Sequence, residues 1–344
     1  MTSRERVIRA IEFRGPDRIP ISHGLLPGAI DNYGDELRDV FRRYPGDFPG
    51  QSGEYHGTEN NPHYQRGEET DDWGCTWVNL GLGTEGQVRG NPLADWGALD
   101  TYRPPDPYAG EWPERWQERT DHERYVTIGA GGGRLFERMH FLRGYDRLLI
   151  DIAEQRPEVE ALRDLVLDHT LKRLVRQLES YDCDGVSYMD DWGTQGQLMI
   201  RPERWRALYK PAYQKIADLV HGAGKHFHFH SDGHIMEVVD DFIEVGVDVL
   251  NPQFSCMPME ELAAKCRGRV CIRSDIDRQY VLPFGTPAEV REYVRRVCEL
   301  FASPAGGLIG HGEVGPDVRP ENAEAMLKAF LDFSPAAPEG SGGR

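Results

Sequence analysis

Four histidines and one aspartate lie within ten residues of the chain, in the segment Lys-His-Phe-His-Phe-His-Ser-Asp-Gly-His at 225–234. The alternation of histidine and phenylalanine from His226 to His230 predicts a β-strand. Turn residues around Asp232 end that strand, and a helical pattern begins near residue 235. Imidazole and carboxylate groups therefore lie where a strand ends. In a barrel of parallel strands, that rim is where catalytic residues are found.

Four other predicted strands in the second half of the chain also end in polar groups. The five ends lie at 190–192, 230–232, 251–253, 274–277 and 311–313. An Asp or Ser at a strand end commonly caps the following helix, and we expect that role for Ser231 and Asp277. Because the carboxyl ends of parallel strands meet at one rim, we expect the remaining polar groups to converge in one cleft.

Two histidines and several carboxylates on one rim suit two kinds of chemistry. They could bind zinc, which accepts imidazole and carboxylate ligands, with His230, Asp232 and either Glu313 or His311 as the protein ligands. They could instead act as general acids and bases whose mutual repulsion shifts their pKa values. We predict His230, Asp191, His311 and Asp232 as catalytic residues, and the residue pattern leaves both chemistries open.

The same rim predicts a set of substrate contacts. Trp73, Trp192 and Phe254 are candidates for an apolar wall around a ring-bearing substrate, with ordinary core packing as the alternative. The polar residues predicted to bind substrate are His23, Asp72, Gln195, Gln253 and Asp275.

Strand and helix patterns alternate regularly after residue 125. Predicted strands lie at 125–128, 185–189, 226–230, 247–250, 270–273 and 307–310, and predicted helices at 134–154, 157–178, 202–221, 235–244, 259–266, 287–301 and 320–333. This alternation predicts a single (β/α)8 TIM barrel over residues 1–333. An open doubly wound sheet is the alternative, but no G-x-G-x-x-G follows the first strand, and the glycine run at 131–133 is a weak phosphate-loop signal.

The N-terminal third is less regular. A capping box at residues 2–5 predicts a first helix, and residues 17–22 predict a first strand. Residues 27–116 are rich in Gly, Pro, Asp and Trp and predict a long loop-rich excursion near the catalytic mouth, with strand character at 75–78. The Pro-, Gly- and Ser-rich tail at 334–344 predicts disorder.

Composition excludes several classes of function. The 344-residue chain carries a formal net charge of −17, which argues against nucleic acid and anionic membrane surfaces as partners. No apolar run is long enough to span a membrane, and the N-terminus has no apolar signal region, so we expect a cytoplasmic protein. The six cysteines form no C-x-x-C pair, which disfavours a zinc ribbon, and a disulfide framework is not expected.

The chain resembles the uroporphyrinogen decarboxylase superfamily, which contains the decarboxylase and corrinoid-linked methyltransferases. The resemblance extends over nearly the whole chain and is specific when its segments are taken together. One segment lies at 185–193 and ends in Asp-Asp-Trp-Gly. The other segments that carry it lie at 4–11, 16–20, 71–75, 248–252, 282–287, 310–312 and 316–322. The resemblance implies a (β/α)8 barrel, in agreement with the element pattern.

The methyltransferase branch of this superfamily binds zinc through a His-x-Cys motif and a distant cysteine. Here His230 is kept, Asp232 takes the place of the first cysteine, and the distant cysteine falls near Gly312, between His311 and Glu313. A histidine and carboxylate site suits an alcohol or ether oxygen better than a thiol. The resemblance therefore implies O-demethylation of a small methoxylated compound, with a separate corrinoid protein as methyl acceptor.

Two other functions stay open on the sequence. The decarboxylase proper carries an arginine-rich segment after its first strand, and the matching residues at 22–27 contain no arginine, although His311 matches an active-site histidine segment. A cofactor-free decarboxylase of a carboxylated ring compound is nevertheless the leading alternative. A barrel that binds a small ligand without catalysis is the third hypothesis.

Overall fold

The computed structural model describes residues 1–60, 64–81, 85–113, 116–130 and 134–335. The glycine run at 131–133 and residues 336–344 of the predicted disordered tail lie outside the described residues. Ser334, at the start of that tail, donates from its hydroxyl to the carbonyl oxygen of Phe330 at 2.9 Å. No helix in the described ranges is long and apolar enough to cross a membrane.

Ten strands occur in the described ranges. In chain order they are β1 (Ile21–Leu25), β2 (Gly67–Thr70), β3 (Thr76–Asn79), β4 (Gln87–Gly90), β5 (Thr127–Gly129), β6 (Gly185–Met189), β7 (His226–Ser231), β8 (Val249–Pro252), β9 (Cys271–Arg273) and β10 (Leu308–Val314). Seven of them form one parallel sheet in the order β1-β10-β9-β8-β7-β6-β5. β2, β3 and β4 form a separate antiparallel sheet.

Twelve α-helices occur in the described ranges. They are α1 (Ser3–Ile11), α2 (Pro27–Arg43), α3 (Leu135–Arg143), α4 (Tyr145–Ala153), α5 (Pro157–Ser180), α6 (Pro202–Leu208), α7 (Lys210–Gly222), α8 (Val239–Glu244), α9 (Met259–Cys266), α10 (Val281–Phe284), α11 (Pro287–Phe301) and α12 (Pro320–Asp332). The strand predicted at 185–189 and the helices predicted at 259–266 and 287–301 match the observed bounds. The α/β class predicted from the sequence is confirmed.

The parallel sheet curls around an interior. Tyr125, just before β5, packs in one cluster with Val249 of β8 and Ile309 of β10. A single cavity is lined both by Gly24 of β1 and by Gly129 of β5, the two edge strands. The sequence predicted eight strands, whereas the sheet formed by the described residues has seven.

Residues 27–116 contain more regular structure than the sequence predicted. α2 is a 17-residue helix where loops were expected, and it is interrupted at Gly34, whose φ of 51° is not helical. Pro27, Gly28 and Gly34 give this helix a loop-like composition, which explains the wrong prediction. β3 covers most of the strand predicted near residues 75–78.

Two other boundaries differ from the sequence prediction in ways that affect the site. The helix predicted over 202–221 is divided between α6 and α7 at Tyr209. β10 continues to Val314, past the predicted end at residue 310. His311 and Glu313 therefore lie within a strand rather than in the turn that follows it.

Candidate metal and substrate site

The histidines of β7 face the barrel interior. Phe229, between two of them, is fully buried in the core between sheet and helices. His226 Nδ1 and His228 Nε2 each lie 2.9 Å from the hydroxyl of Tyr125. His230, the last histidine of the alternation, lines the interior cavity. The alternation therefore directs three imidazoles inward and leaves the phenylalanines for the helices.

Asp191, His230 and Asp232 form a cluster at the carboxyl ends of β6 and β7. His230 Nε2 lies 3.4 Å from Asp232 Oδ1 and 3.8 Å from Asp191 Oδ1. One ligand atom from each of the three residues lies within 4.8 Å of the other two. Burial, and then the neighbouring charge of Asp232, raise the pKa of Asp191. The cluster therefore concentrates negative charge at one point of the rim.

Asn251 fixes the tautomer of His230. Its Nδ2 donates to the carbonyl oxygens of Arg273, at 2.9 Å, and Ser274, at 3.2 Å, so its Oδ1 is left to accept. Oδ1 lies 2.9 Å from His230 Nδ1, and Nδ1 therefore carries the proton of that bond. A neutral His230 thus directs the Nε2 lone pair at two carboxylates. The lone pair and the two carboxylate oxygens would all attract a metal ion placed between them.

The cluster fits a divalent metal ion. Two carboxylates and one imidazole make three protein ligands, which leaves a further coordination position for substrate. Asp232 Oδ1 is buried and accepts no hydrogen bond from any described residue. The hydrogen bond from His230 to Asn251 is the outer contact that commonly orients a ligating histidine. The residues that could hold the ion are thus Asp191, His230 and Asp232.

The turns that carry the two aspartates are packed backbone against backbone. The Asp232 amide donates to Asp191 Oδ1 at 2.9 Å, and the Gly193 amide donates to the Asp232 carbonyl oxygen at 3.0 Å. A Cβ on Gly193 would lie 2.2 Å from the amide nitrogen of His234. Gly233 adopts a φ of 78°. Glycine at both positions is what allows the aspartates to approach each other.

Arg278 connects the cluster to the neighbouring strand ends. Its Nη2 donates to Asp232 Oδ2, and its Nη1 lies 3.2 Å from Glu313 Oε1. Asp275 lies nearby and is 6% exposed, and its Oδ2 has no hydrogen-bond partner among the described residues. Burial raises the pKa of Asp275 to about 8, although the charge of Arg278 acts in the opposite direction. Near neutral pH this carboxyl group therefore holds a proton.

A cavity of about 600 Å³ lies inside the barrel, next to the cluster. His230, Asn251, Arg273 and His311 line it, together with Glu313. Arg273 Nη2 lies 3.1 Å from His311 Nδ1 and 3.2 Å from His311 Nε2. Burial, and then the charge of Arg273, hold the pKa of His311 well below its usual value. His311 is therefore neutral in this cavity.

His311 and Glu313 were predicted as alternatives for the third metal ligand, and the residue that lies within 4.8 Å of both His230 and Asp232 is Asp191. His311 Nδ1 lies 3.1 Å from the carbonyl oxygen of Ser22 and close to Arg273, so its ring is engaged. The carboxylate of Glu313 pairs with Arg278. Asp191 was predicted as catalytic but not as a ligand.

Several predicted substrate residues of the N-terminal half are engaged elsewhere. His23 is 7% exposed, with Nδ1 2.7 Å from the Tyr55 hydroxyl and Nε2 2.7 Å from the Tyr44 carbonyl oxygen. Asp72 is exposed in the turn between β2 and β3. Trp73 packs edge-on against His169, with ring centroids 4.6 Å apart. The structure does not bring these three residues into the cluster.

The predicted aromatic wall is core packing. Trp192 is fully buried, stacks on Phe136 with ring centroids 4.2 Å apart and donates from Nε1 to the Tyr213 hydroxyl at 2.8 Å. Phe254 stacks on Phe301 at 4.9 Å. Trp192 therefore packs against α3 and α7, and Phe254 against α11, and neither ring lines the cavity.

The two predicted glutamines have structural contacts. Gln253 is 3% exposed, and its Oε1 accepts from the Gly233 amide at 2.9 Å, which fixes the turn after β7. Gln195 is exposed, and its Oε1 lies 3.5 Å from Cys256 Sγ. Gln253 therefore stabilises the turn that carries Asp232, and Gln195 lies outside the cavity wall.

Helix capping explains some of the polar strand ends. Asp190 is fully buried and accepts from the amides of Phe136 and Glu137, at 2.7 and 2.8 Å, at the start of α3. Asp277 accepts from the amides of Gln279 and Tyr280. The expectation of a structural role for Asp277 agrees with these contacts.

Sequence reasoning missed Asn251, Arg273 and Arg278 as site residues. Arg273 lies two residues after Cys271, which is buried in the interior cluster, so period-two counting would have directed Arg273 inward. Asn251 was noted at a strand end without a role. Arg278 lies in a turn, where no residue period predicts the direction of a side chain.

Comparisons with known proteins agree with this architecture. A family model described as Uroporphyrinogen decarboxylase (URO-D) matches residues 94–333. The chain is 23% identical over 194 residues to the uroporphyrinogen decarboxylase of Hydrogenovibrio crunogenus, covering 53% of this chain and 50% of that protein. It is 26% identical over 180 residues to the enzyme of Cereibacter sphaeroides, covering 51% and 50%. The alignments thus span about half the length of these curated relatives.

One solved structure is similar over nearly its full length. A methyltransferase from Methanosarcina mazei superposes with a TM-score of 0.66 and covers 97% of this chain and 99% of that chain. The sequence identity is 13%, so the likeness concerns the fold. Together with the curled parallel sheet, it confirms the α/β barrel predicted from the sequence.

Proposed function

Because the chain belongs to the uroporphyrinogen decarboxylase family, we propose that it is a zinc-dependent methyltransferase that removes a methyl group from a small methoxylated compound. The observation that carries this proposal is the cluster of Asp191, His230 and Asp232, with His230 Nδ1 held by Asn251. The name of the structural neighbour favours methyl transfer over the other reactions of the family.

The metal site determines the class of substrate atom. Asp191, His230 and Asp232 would hold the zinc ion and leave a coordination position open toward the cavity. Bound there, zinc would act as a Lewis acid toward an ether oxygen. Carboxylate and imidazole ligands, without thiolate, suit an oxygen substrate.

The chain's own residues account for the proton that the reaction requires. The bond between the methyl carbon and the ether oxygen breaks, and its electron pair stays on the oxygen. A reduced corrinoid on a separate protein would accept the methyl carbon and would supply the electron pair of the new bond. The leaving oxygen would take a proton. We propose Asp275 as its source, because its buried Oδ2 has no hydrogen-bond partner among the described residues and burial raises its pKa to about 8.

Arg278 positions the cluster during this reaction. It binds Asp232 Oδ2 and Glu313 Oε1, and it thereby leaves Asp232 Oδ1 directed at His230. The packed turns at Gly193 and Gly233 hold the two aspartates at a fixed separation. A site on packed turns is preorganised for an ion, which lowers the cost of binding.

The test is metal content and demethylation of the purified protein. Wild-type protein is expected to hold one zinc ion and to release phenol from methoxybenzenes when a reduced corrinoid protein is present. His230→Ala is expected to lose both, whereas the control His221→Ala keeps both, because His221 bonds Asp248 outside the cluster. Metal-free wild-type protein that still demethylates would contradict the proposal.

A decarboxylase of a carboxylated ring compound is the second candidate. The buried, protonated Asp275 favours it, since loss of carbon dioxide leaves an electron pair on carbon that must take a proton. The residues at 22–27, which include most of β1, contain no arginine to bind several carboxylates. Release of carbon dioxide by zinc-free protein would favour this candidate over methyl transfer.

A further inference from the structure

Arg273 is an interior cation without an ion pair. Its Nε is buried and has no hydrogen-bond partner among the described residues. Its Nη2 contacts the ring of His311, which is neutral, and within the described part of the chain no carboxylate forms an ion pair with it. Burial lowers the pKa of Arg273 to about 10, so the guanidinium keeps its charge at neutral pH.

The two buried arginines among the described residues are neutralised, whereas Arg273 is half-buried. Arg6 pairs with Asp17 and Asp47, and Arg143 pairs with Asp151. Burying an unpaired charge is costly, and proteins ordinarily supply a partner. Arg273 therefore departs from the pattern that this fold follows elsewhere, and it does so on the wall of the 600 Å³ cavity.

The backbone of Arg273 is fixed relative to the metal cluster. Its carbonyl oxygen accepts from Asn251 Nδ2, and the same Asn251 side chain bonds His230. β7 and β9 are separated by β8, a spacing of about 10 Å between their axes. A compound with one ring can span this distance, and the cavity volume is in the range of small-ligand sites.

We propose that Arg273 binds a carboxylate of the substrate, so that the substrate is a small single-ring acid. The acid group lies on the guanidinium, which offers Nε and Nη donors in the planar arrangement that a carboxylate matches. The opposite end of the ring then faces Asp191, His230 and Asp232. This inference rests on the proposed function for the identity of the reacting group, and the binding of the acid stands without it.

The test compares an acid with its neutral amide in the presence of a metal chelator. The probes are meta- and para-methoxybenzoate and the corresponding methoxybenzamides, titrated calorimetrically into the full chain. Wild-type protein is expected to bind at least one acid roughly tenfold to hundredfold more tightly than its amide, the effect of a charge-assisted hydrogen bond. Equal affinities, or no binding of either acid, would overturn the proposal.

Two variants assign the preference to one residue. Arg273→Gln is expected to abolish the preference for the acid, and Arg273→Lys to keep part of it, because the charge remains without the planar fork. The control Arg173→Gln removes an arginine from the same cavity wall and is expected to keep the preference, since Arg173 donates to the carbonyl oxygens of Pro107 and Ala109. A preference that survives in a folded Arg273→Gln would overturn the proposal.

The chelator separates this test from that of the proposed function. If the protein prefers the acid through Arg273 but does not demethylate, the carboxylate site is supported and methyl transfer is rejected. If it demethylates neutral substrates and shows no preference for the acid, methyl transfer is supported and the carboxylate site is rejected. If Arg273→Gln does not fold, the wild-type comparison and Arg273→Lys still decide the outcome.

Discussion

Replacing Asn251 by alanine separates the stability of the rim from its capacity to bind metal. Asn251 is 8% exposed and makes three hydrogen bonds, one to His230 Nδ1 and two to the backbone carbonyls of Arg273 and Ser274. At about 1 kcal/mol each, their loss lowers the free energy of unfolding by about 3 kcal/mol. For 344 residues with about 2.1 cal/mol/K of unfolding entropy each, this corresponds to a fall of about 4 °C in Tm.

The effect on metal affinity has a separate cause. Without Oδ1, nothing selects the Nδ1–H tautomer of His230, and the ring is free to turn its Nε2 away from Asp191 and Asp232. Removing the outer contact of a ligating histidine typically costs roughly tenfold to hundredfold in affinity. Competition with a zinc-sensitive dye measures this loss, and differential scanning calorimetry measures the change in Tm.

Asn251→Asp is the matched control. It keeps an oxygen that accepts from His230 Nδ1 but loses both donors to the carbonyl oxygens. Its Tm is therefore expected to fall at least as far as that of Asn251→Ala, while its zinc affinity stays close to that of the wild type. Equal zinc affinities in the two variants would refute the argument that Asn251 acts through His230.

Three further changes test other parts of the site. Gly193→Ala is expected to weaken zinc binding at least tenfold in the dye assay, because a Cβ would lie 2.2 Å from the amide nitrogen of His234. The control Gly196→Ala, which has open space around its Cβ position, is expected to leave zinc affinity unchanged. Trp192→Phe is expected to lower the free energy of unfolding by about 1–3 kcal/mol in urea titrations, through its lost hydrogen bond, without changing the affinity for methoxybenzoate. Because its pKa is raised, Asp275 binds its proton more tightly in the folded state than in the unfolded chain. Its contribution to the free energy of unfolding therefore falls as pH rises from about 4 to about 8. The Tm of Asp275→Asn is expected to rise relative to that of the wild type over that interval.

The position of the rim could be predicted from the sequence because its strands have a clear period. The His-Phe alternation of β7 indicates both the strand and its inward face, and the turn residues after it place Asp232 at the rim. The same reasoning placed Asp191 and Asp275 at the ends of two other strands of the sheet, β6 and β9. Parallel strands bring their carboxyl ends together, so convergence follows from the fold class alone.

Side-chain direction within turns could not be predicted in this way. Trp192 follows Asp191 directly and points to the core, where Phe136 and Tyr213 receive it. Arg278 is the fifth residue after the end of β9, and its contact with Asp232 depends on the path of the turn. The antiparallel strands and the helix within residues 27–116 could not be predicted, because glycine and proline at kinks and helix starts give this segment the composition of a loop.

Positive and negative side chains are separated between the interior of the barrel and its rim. Arg273 lies on the wall of the cavity inside the barrel, whereas Asp191 and Asp232 lie at the rim. Arg278 pairs with Asp232 and with Glu313, which also lines the cavity. An acid that enters the barrel must pass this negative rim in a chain whose net charge is −17. A divalent ion held by Asp191, His230 and Asp232 would remove that barrier, so we expect zinc to strengthen acid binding and the acid to strengthen zinc binding by the same factor. The separation of the two binding positions by one strand also means that the carboxylate and the ion would hold opposite ends of one ring, which orients the reacting oxygen.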